Sequence, residues 1–155
     1  MKVLIGSDKS GFSLKEGIKA LLIEQGYEVE DMGTTDVEQP KRFCDVAPIV
    51  GSAISKGEAE RAILICGTGM GMTQVASMYK GVYAACCESV YAAKMCRAVN
   101  NSNILCMGGW IVGFEMAVEM VKAFLTTEHT EGLEPWRQEF LQNALKDVIA
   151  LDSRP

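Results

Sequence analysis

The sequence predicts an α/β fold, a parallel sheet with helices on both of its faces. Short apolar runs of strand length alternate with helical patterns along the whole 155-residue chain, the order that builds such sheets. The run Ala62-Ile63-Leu64-Ile65 is apolar without alternation, as a strand covered on both sides should be. It leads straight into Cys66-Gly67-Thr68-Gly69-Met70-Gly71-Met72, a glycine-rich turn from strand to helix.

Residues 2–5 form the first strand, followed by the loop 6–11. Leu14, Ile18, Leu21 and Leu22 keep helical spacing up to Gln25-Gly26, a helix end. Residues 27–31 alternate as a second strand, and a polar loop opens at Gly33 and runs through Lys41-Arg42. Asp45 reads as the cap of a helix to Ser55, closed by Lys56-Gly57. Residues 62–66 are the third strand, with a helix at 73–78 behind it. The fourth strand is 82–86, followed by a helix over 89–99 with Ser89 as N-cap. The fifth strand, 104–107, ends at Gly108-Gly109, and an amphipathic helix covers 114–126. A last helix, 136–151, starts near Pro135, a residue favoured in the first turn. No repeat, low-complexity tract or linker interrupts residues 1–155, which read as one domain. The last helix has no strand after it, and is expected to pack on a partner subunit.

Apolar residues make up 48% and charged ones 23% of the chain, the mix of a globular protein. A net charge of −5 argues against a nucleic-acid or anionic-membrane surface. Any anion site must therefore be a local cluster of cations and amides. No apolar run approaches the roughly 20 residues that span a bilayer, and residues 1–6 look like a strand rather than an export signal. A cytoplasmic protein is expected. The six cysteines (44, 66, 86, 87, 96, 106) include no CxxC pair, and His129 is the only histidine. Neither a disulfide framework nor a zinc site follows. No cofactor or metal is expected, and most of these thiols read as small buried hydrophobes.

Cys66 is the exception. It stands at the carboxyl end of a strand, where open α/β sheets bind ligands, beside a loop whose glycines leave backbone N–H groups bare. A thiol there could act as a base or a nucleophile, and amide donors at a helix start favour its thiolate. A dinucleotide site is a weak alternative. Met72 stands where the third glycine should be, and no acidic residue ends a following strand at the usual distance.

Met1-Lys2-Val3-Leu4-Ile5-Gly6-Ser7-Asp8, Gly26-Tyr27-Glu28-Val29, Gly33-Thr34 and Ile63 through Met72 resemble type B ribose-5-phosphate isomerase. That family includes the galactose-6-phosphate isomerase subunits. The likeness continues through Val90-Tyr91-Ala92-Ala93-Lys94, Asn100, 103–108 and 123–125. It implies a three-layer Rossmann- or flavodoxin-like five-stranded sheet, a homodimer, and metal-free aldose–ketose isomerisation of a phosphorylated sugar through a cis-enediolate. By the same resemblance Cys66 is the base that moves a proton between C1 and C2. Amides around Gly67, Gly69, Gly71 and Met72 form the oxyanion hole. Asp8 binds substrate hydroxyls, Thr68 moves protons between the oxygens, Asn100 contributes across the dimer interface, and Arg137 holds the phosphate.

The chain departs from the family at functional positions. Asp8-Lys9 replaces Asp-His, with Lys9 expected to keep a phosphate-binding role as a point charge. Val99 replaces the histidine before Asn100, Arg42-Phe43-Cys44 replaces Asp-Tyr-Pro, and Cys87-Glu88 replaces Cys-His. Glu131-Gly132-Leu133-Glu134 replaces Gly-Gly-Arg-His, so one phosphate arginine is missing. The family histidine is the expected opener of sugar rings, and valine cannot do that. A substrate other than ribose 5-phosphate is therefore expected, a tetrose phosphate or another sugar phosphate that stays open-chain. The alternative is a catalytically weakened, sugar-phosphate-binding or regulatory homodimer.

Overall fold

The computed structural model describes residues 1–154. In chain order its elements are β1 (Lys2–Ser7), α1 (Phe12–Glu24), β2 (Glu28–Asp31), α2 (Phe43–Ser55), β3 (Arg61–Cys66), α3 (Met70–Ala76), β4 (Ala84–Cys86), α4 (Val90–Ala98), β5 (Ile104–Gly108), α5 (Phe114–Thr126) and α6 (Pro135–Leu151). The five strands form one parallel sheet in the order β2-β1-β3-β5-β4. Ile5 pairs with Ile63, and Ile63 with Leu105, in the middle of the sheet.

Successive strand residues feed opposite faces. Val3, Ile5, Ile63, Ile65, Leu105 and Met107 pack against α1, α4 and α5, with Ile18, Ala93 and Phe124 at the contact. Leu4, Ala62, Leu64, Ile104 and Cys106 pack on the other face against α2 and α3, through Val46, Val50, Met72 and Ala76. Both faces are covered, which is why β3 carries no polar alternation. This is the three-layer Rossmann-like arrangement expected.

Several boundaries differ from expectation. Helix α3 opens at Met70 rather than Thr73, because Gly69 takes a left-handed conformation (φ +79°) that turns the chain directly into the helix. Helix α2 starts at Phe43 with Arg42 as its N-cap residue. Asp45 is therefore not the cap. It sits in the first turn and accepts two hydrogen bonds from the Arg42 guanidinium, both 2.8 Å. Strand β4 begins only at Ala84. Ser89 does cap α4, its hydroxyl accepting from the Ala92 amide at 3.1 Å.

A buried ion network braces the loop after β2. Lys15, fully buried, donates to Asp31 Oδ2 at 2.5 Å and to the Thr34 carbonyl at 2.6 Å, and Lys19 also reaches Asp31 at 2.8 Å. Burial alone would raise the Asp31 carboxyl, but the two lysines and the Gly33 amide bring it below the usual range. The Thr34 hydroxyl in turn accepts from the Lys41 amide at 3.1 Å, fixing the approach to α2.

Helix α6 buries only Leu141, and Trp136, Phe140, Val148, Ile149 and Leu151 remain exposed. The segment after it returns to the sheet. Asp152 Oδ2 accepts from the Gly81 amide at 2.8 Å and from the Tyr83 hydroxyl at 3.4 Å. Arg154 donates to the carbonyls of Ser77 and Val82.

Candidate active site

The last residue of β3 places Cys66 at the carboxyl edge of the sheet, 5% exposed. Its sulfur accepts a hydrogen bond from the Gly69 amide at 3.1 Å. The left-handed Gly69 is what turns that amide back. The first carbonyl of the helix to be used is that of Gly69, which accepts from Thr73 at 3.1 Å. The amides of Gly71 and Met72 thus have no intrahelical acceptor, and the Met70 amide has only the Thr68 hydroxyl at 3.4 Å. A thiol and a set of unspent N–H donors therefore share one turn.

Two aromatic side chains wall this turn. A Cβ on Gly67 would lie 2.7 Å from the Trp110 ring, and one on Gly71 would lie 2.9 Å from Phe43. Both glycines let an aromatic ring approach the backbone closely. Cys86, exposed at the end of β4, points its thiol toward the Thr68 carbonyl at 3.6 Å. Burial pushes the Cys86 and Cys106 thiols up, so both stay protonated near neutral pH.

Asp8 follows β1 at the same edge, its amide bonded to the Ile65 carbonyl at 3.3 Å. Its Oδ1 accepts from the Gly11 amide at 3.0 Å, a turn-holding role that commits one of its two oxygens. Beside it lies a cavity of about 470 Å³ lined by Asp8, Lys9, Lys41, Arg42, Phe43 and Cys44 among others. Phe43 is common to this cavity and the Cys66 turn. Arg42 is engaged by Asp45, whereas Lys9 has no carboxylate within 4 Å among the described residues.

Asn100 and Arg137 lie elsewhere. The Thr130 amide donates to the Ala98 carbonyl at 2.8 Å, and Glu128 faces Arg61 at 3.5 Å, so the loop before α6 sits at the amino edge of the sheet. Five residues of extended strand separate Arg61 from Cys66, about 16 Å. Asn100, just after α4, and Arg137, in the first turn of α6, are exposed on that far side. One chain thus gathers Cys66, Thr68, Gly67, Gly69, Gly71, Met72, Asp8 and Lys9, but neither Asn100 nor Arg137.

Three neighbours were not foreseen as site residues. Trp110 and Cys86 are set beside the Cys66 turn by β5 and β4, and their position after or at a strand end was the available signal. Phe43 was noted only as a departure from a pattern. His129 lies beside Val99, its ring bonded to the Val99 backbone, and its Nε2 is buried with no partner. Nothing local in the sequence links those two positions. Among the described residues no cluster of His, Cys, Asp and Glu could hold a metal, and no helix is long and apolar enough to cross a membrane.

Fold and site together define a parallel α/β protein with a thiol and a set of bare backbone amides at the carboxyl edge of its sheet. The chain belongs to the ribose/galactose isomerase family, whose pattern matches residues 3–139. It is 62% identical to the 4-deoxy-4-sulfo-D-erythrose isomerase of Clostridium sp. (strain MSTE9), over 98% of this chain and 96% of that one. It is 37% identical to the D-erythrulose-4-phosphate isomerase 2 of Mycolicibacterium smegmatis, over 83% and 86% of the two chains. The structure of Clostridium thermocellum ribose-5-phosphate isomerase B superposes with a TM-score of 0.87 at 36% identity, covering 97% of both chains. The protein is thus a sugar isomerase of this family.

Proposed function

We propose that this isomerase interconverts 4-deoxy-4-sulfo-D-erythrose and the corresponding ketose, 4-deoxy-4-sulfoerythrulose, by proton transfer through a cis-enediolate. The 62% identity over nearly the whole chain to a relative of that name carries the reading. The chemistry of the site supports it. The Cys66 thiolate removes the C2 proton of the aldose, and the electrons of that bond form the C1–C2 double bond while O1 becomes an oxyanion. Amides of Gly67, Gly71 and Met72 stabilise that charge, while the Gly69 amide holds the Cys66 sulfur. Thr68 passes a proton from O2 to O1, and Cys66 returns its proton to C1. Asp8 holds substrate hydroxyls. No metal is required by these steps.

A carbon-bound sulfonate leaves no hydroxyl on C4, so a furanose cannot close and no ring-opening acid–base pair is needed. Val99, where the family carries histidine, suits such a substrate. A sulfonate also carries a single negative charge, less than the nearly two of a phosphate ester at pH 7. Leu133 in place of an arginine fits that smaller charge, with Lys9 and Arg137 as the anchoring cations. Because Arg137 and Asn100 lie toward the amino edge of the sheet and Cys66 ends β3 at its carboxyl edge, a second copy supplies them, and the working unit is a homodimer.

Turnover of the C4 sulfonate, erythrose 4-phosphate and ribose 5-phosphate by the wild type and by Cys66→Ser tests this. The sulfonate should have the highest kcat/KM, and the variant should lose at least about a hundredfold in kcat. A higher kcat/KM for erythrose 4-phosphate would assign the phosphate instead, and preference for ribose 5-phosphate would reject the open-chain reading altogether. Undiminished turnover by Cys66→Ser would remove the thiol from the mechanism.

A further inference from the structure

A cavity of about 570 Å³ lies at the amino edge of the sheet, far from Cys66. Arg61, at the start of β3, and Arg97, in the last turn of α4, both line it, as do Lys80, Tyr83 and Asn103. The two arginines are 7% and 1% exposed. Guanidinium groups this deeply placed normally have their charge and their donors matched, since unpaired burial is costly. Here they are not. Among the described residues the only carboxylate that reaches either is that of Glu128, at 3.5 Å from Arg61 and 3.7 Å from Arg97, and Glu128 is itself mostly exposed. Arg97 spends Nη1 on the Ser102 carbonyl at 2.6 Å and Nε on the Thr127 carbonyl at 3.3 Å. Arg61 spends Nη1 on its neighbouring Glu60 carbonyl at 3.3 Å, and its Nε is buried with no acceptor at all. Burial, and then the charge of Arg61, push Arg97 down to about 10.

Glu60 and Asp152 also border the cavity. Asp152 is already bound by Arg154 and by the Gly81 amide, so it is not available to the arginines. Two buried cations, one of them with an orphaned donor, border a space large enough for a small molecule.

We propose that this cavity is a second anion-binding site, taking an oxyanion (inorganic phosphate, a phosphate ester or a sulfonate) between Arg61 and Arg97 in place of Glu128. A tetrahedral oxyanion supplies acceptors for the Arg61 Nε and Nη2 and the Arg97 Nη2 together, which a single distant carboxylate does not. The site is independent of the catalytic one, and its existence does not rest on the sugar assigned above.

Calorimetric titration of the full-length protein with inorganic phosphate tests it, with Lys9→Ala, Arg61→Gln and Glu128→Gln beside the wild type. The catalytic anion subsite is weakened by Lys9→Ala, and the event that survives in this variant belongs to the new site. Arg61→Gln, confirmed as folded by circular dichroism, should weaken that surviving event at least tenfold. Glu128→Gln removes the competing carboxylate and should tighten it at least threefold, the reverse of what loss of a purely structural ion pair would do. If Arg61→Gln fails to fold, Glu128→Gln decides alone. Tighter binding of glycerol 3-phosphate than of phosphate assigns the site to an esterified ligand, and equal binding assigns it to the free ion. A single binding event that disappears in Lys9→Ala, or unchanged or weaker binding in Glu128→Gln, overturns the proposal.

Discussion

Gly69→Ala strikes the turn where fold and chemistry meet. Gly69 has φ +79°, and a Cβ there would stand 2.9 Å from the Met107 carbonyl carbon, 3.0 Å from the Cys86 sulfur and 3.1 Å from the Met107 oxygen. Two of those three atoms are strand backbone and cannot swing aside. The left-handed conformation costs a side-chain-bearing residue roughly 1–2 kcal/mol, and relief of the overlap adds about 1–3 kcal/mol. The sum, roughly 2–5 kcal/mol, corresponds to a Tm lower by about 5–20 °C for a chain of this size. Any relaxation also moves the amide that donates to Cys66, and misplacing one donor of this kind costs on the order of a hundredfold in kcat. Thermal unfolding by circular dichroism and steady-state isomerisation of the proposed four-carbon substrate read the two effects separately. Gly67→Ala is the internal control. Its clash is with Trp110, a side chain 74% exposed that can rotate away, so its Tm should stay close to wild type. A Gly69→Ala protein with Tm within about 2 °C of wild type and kcat within about threefold would refute the argument.

Mixing Cys66→Ser with Arg137→Gln subunits should restore activity that neither has alone. Random reassortment of two-fold dimers makes half of them mixed, each with one intact site, or about a quarter of wild-type activity; no recovery after subunit exchange would place Arg137 in the site of its own chain. Burial, then the nearby Arg97 charge, hold the His129 imidazole below its ordinary pKa. The folded state then binds fewer protons than the unfolded one, so this contribution is complete above about pH 6.5 and is lost as the pH falls from there toward the folded value. Urea unfolding of wild type and His129→Gln between pH 5 and 8 should show a steeper acid loss in the wild type, and parallel curves would exclude His129 as the cause.

Elements with one strong period were legible in the sequence to the residue. Helix α5 spans the expected Phe114–Thr126 because Ala117, Met120, Val121 and Phe124 recur on one face and meet the sheet. Helix α3 was not, since Gly69-Met70-Gly71 carries the local preference of a loop. Its early start is fixed by contacts distant in sequence, Phe43 on Gly71 and Met107 behind Gly69. The same division holds at the site. The thiol at the end of β3 follows from a single local run, and Lys9 and Asp8 follow from the loop after β1. The walls do not, because Trp110, Phe43 and Cys86 arrive on three other elements. His129 reaches Val99 only through the path of the loop after α5.

The clasp formed by Asp152 and Arg154 has a consequence for how molecules of this protein meet one another. A sheet whose outermost strand is bare recruits other sheets, strand to strand. Here one rim is β2, only four residues long and carrying the exposed charged side chains Glu28 and Glu30. The other is β4, only three residues long, and its approach is occupied by Asp152 on the Gly81 amide and Arg154 on the Val82 carbonyl. Two of the backbone groups that lead into this strand are already spoken for. Copies are left to associate through side-chain surfaces, which can encode a specific pairing, and a substitution that opened the clasp would show itself first as precipitation at high concentration, with the chemistry at Cys66 untouched.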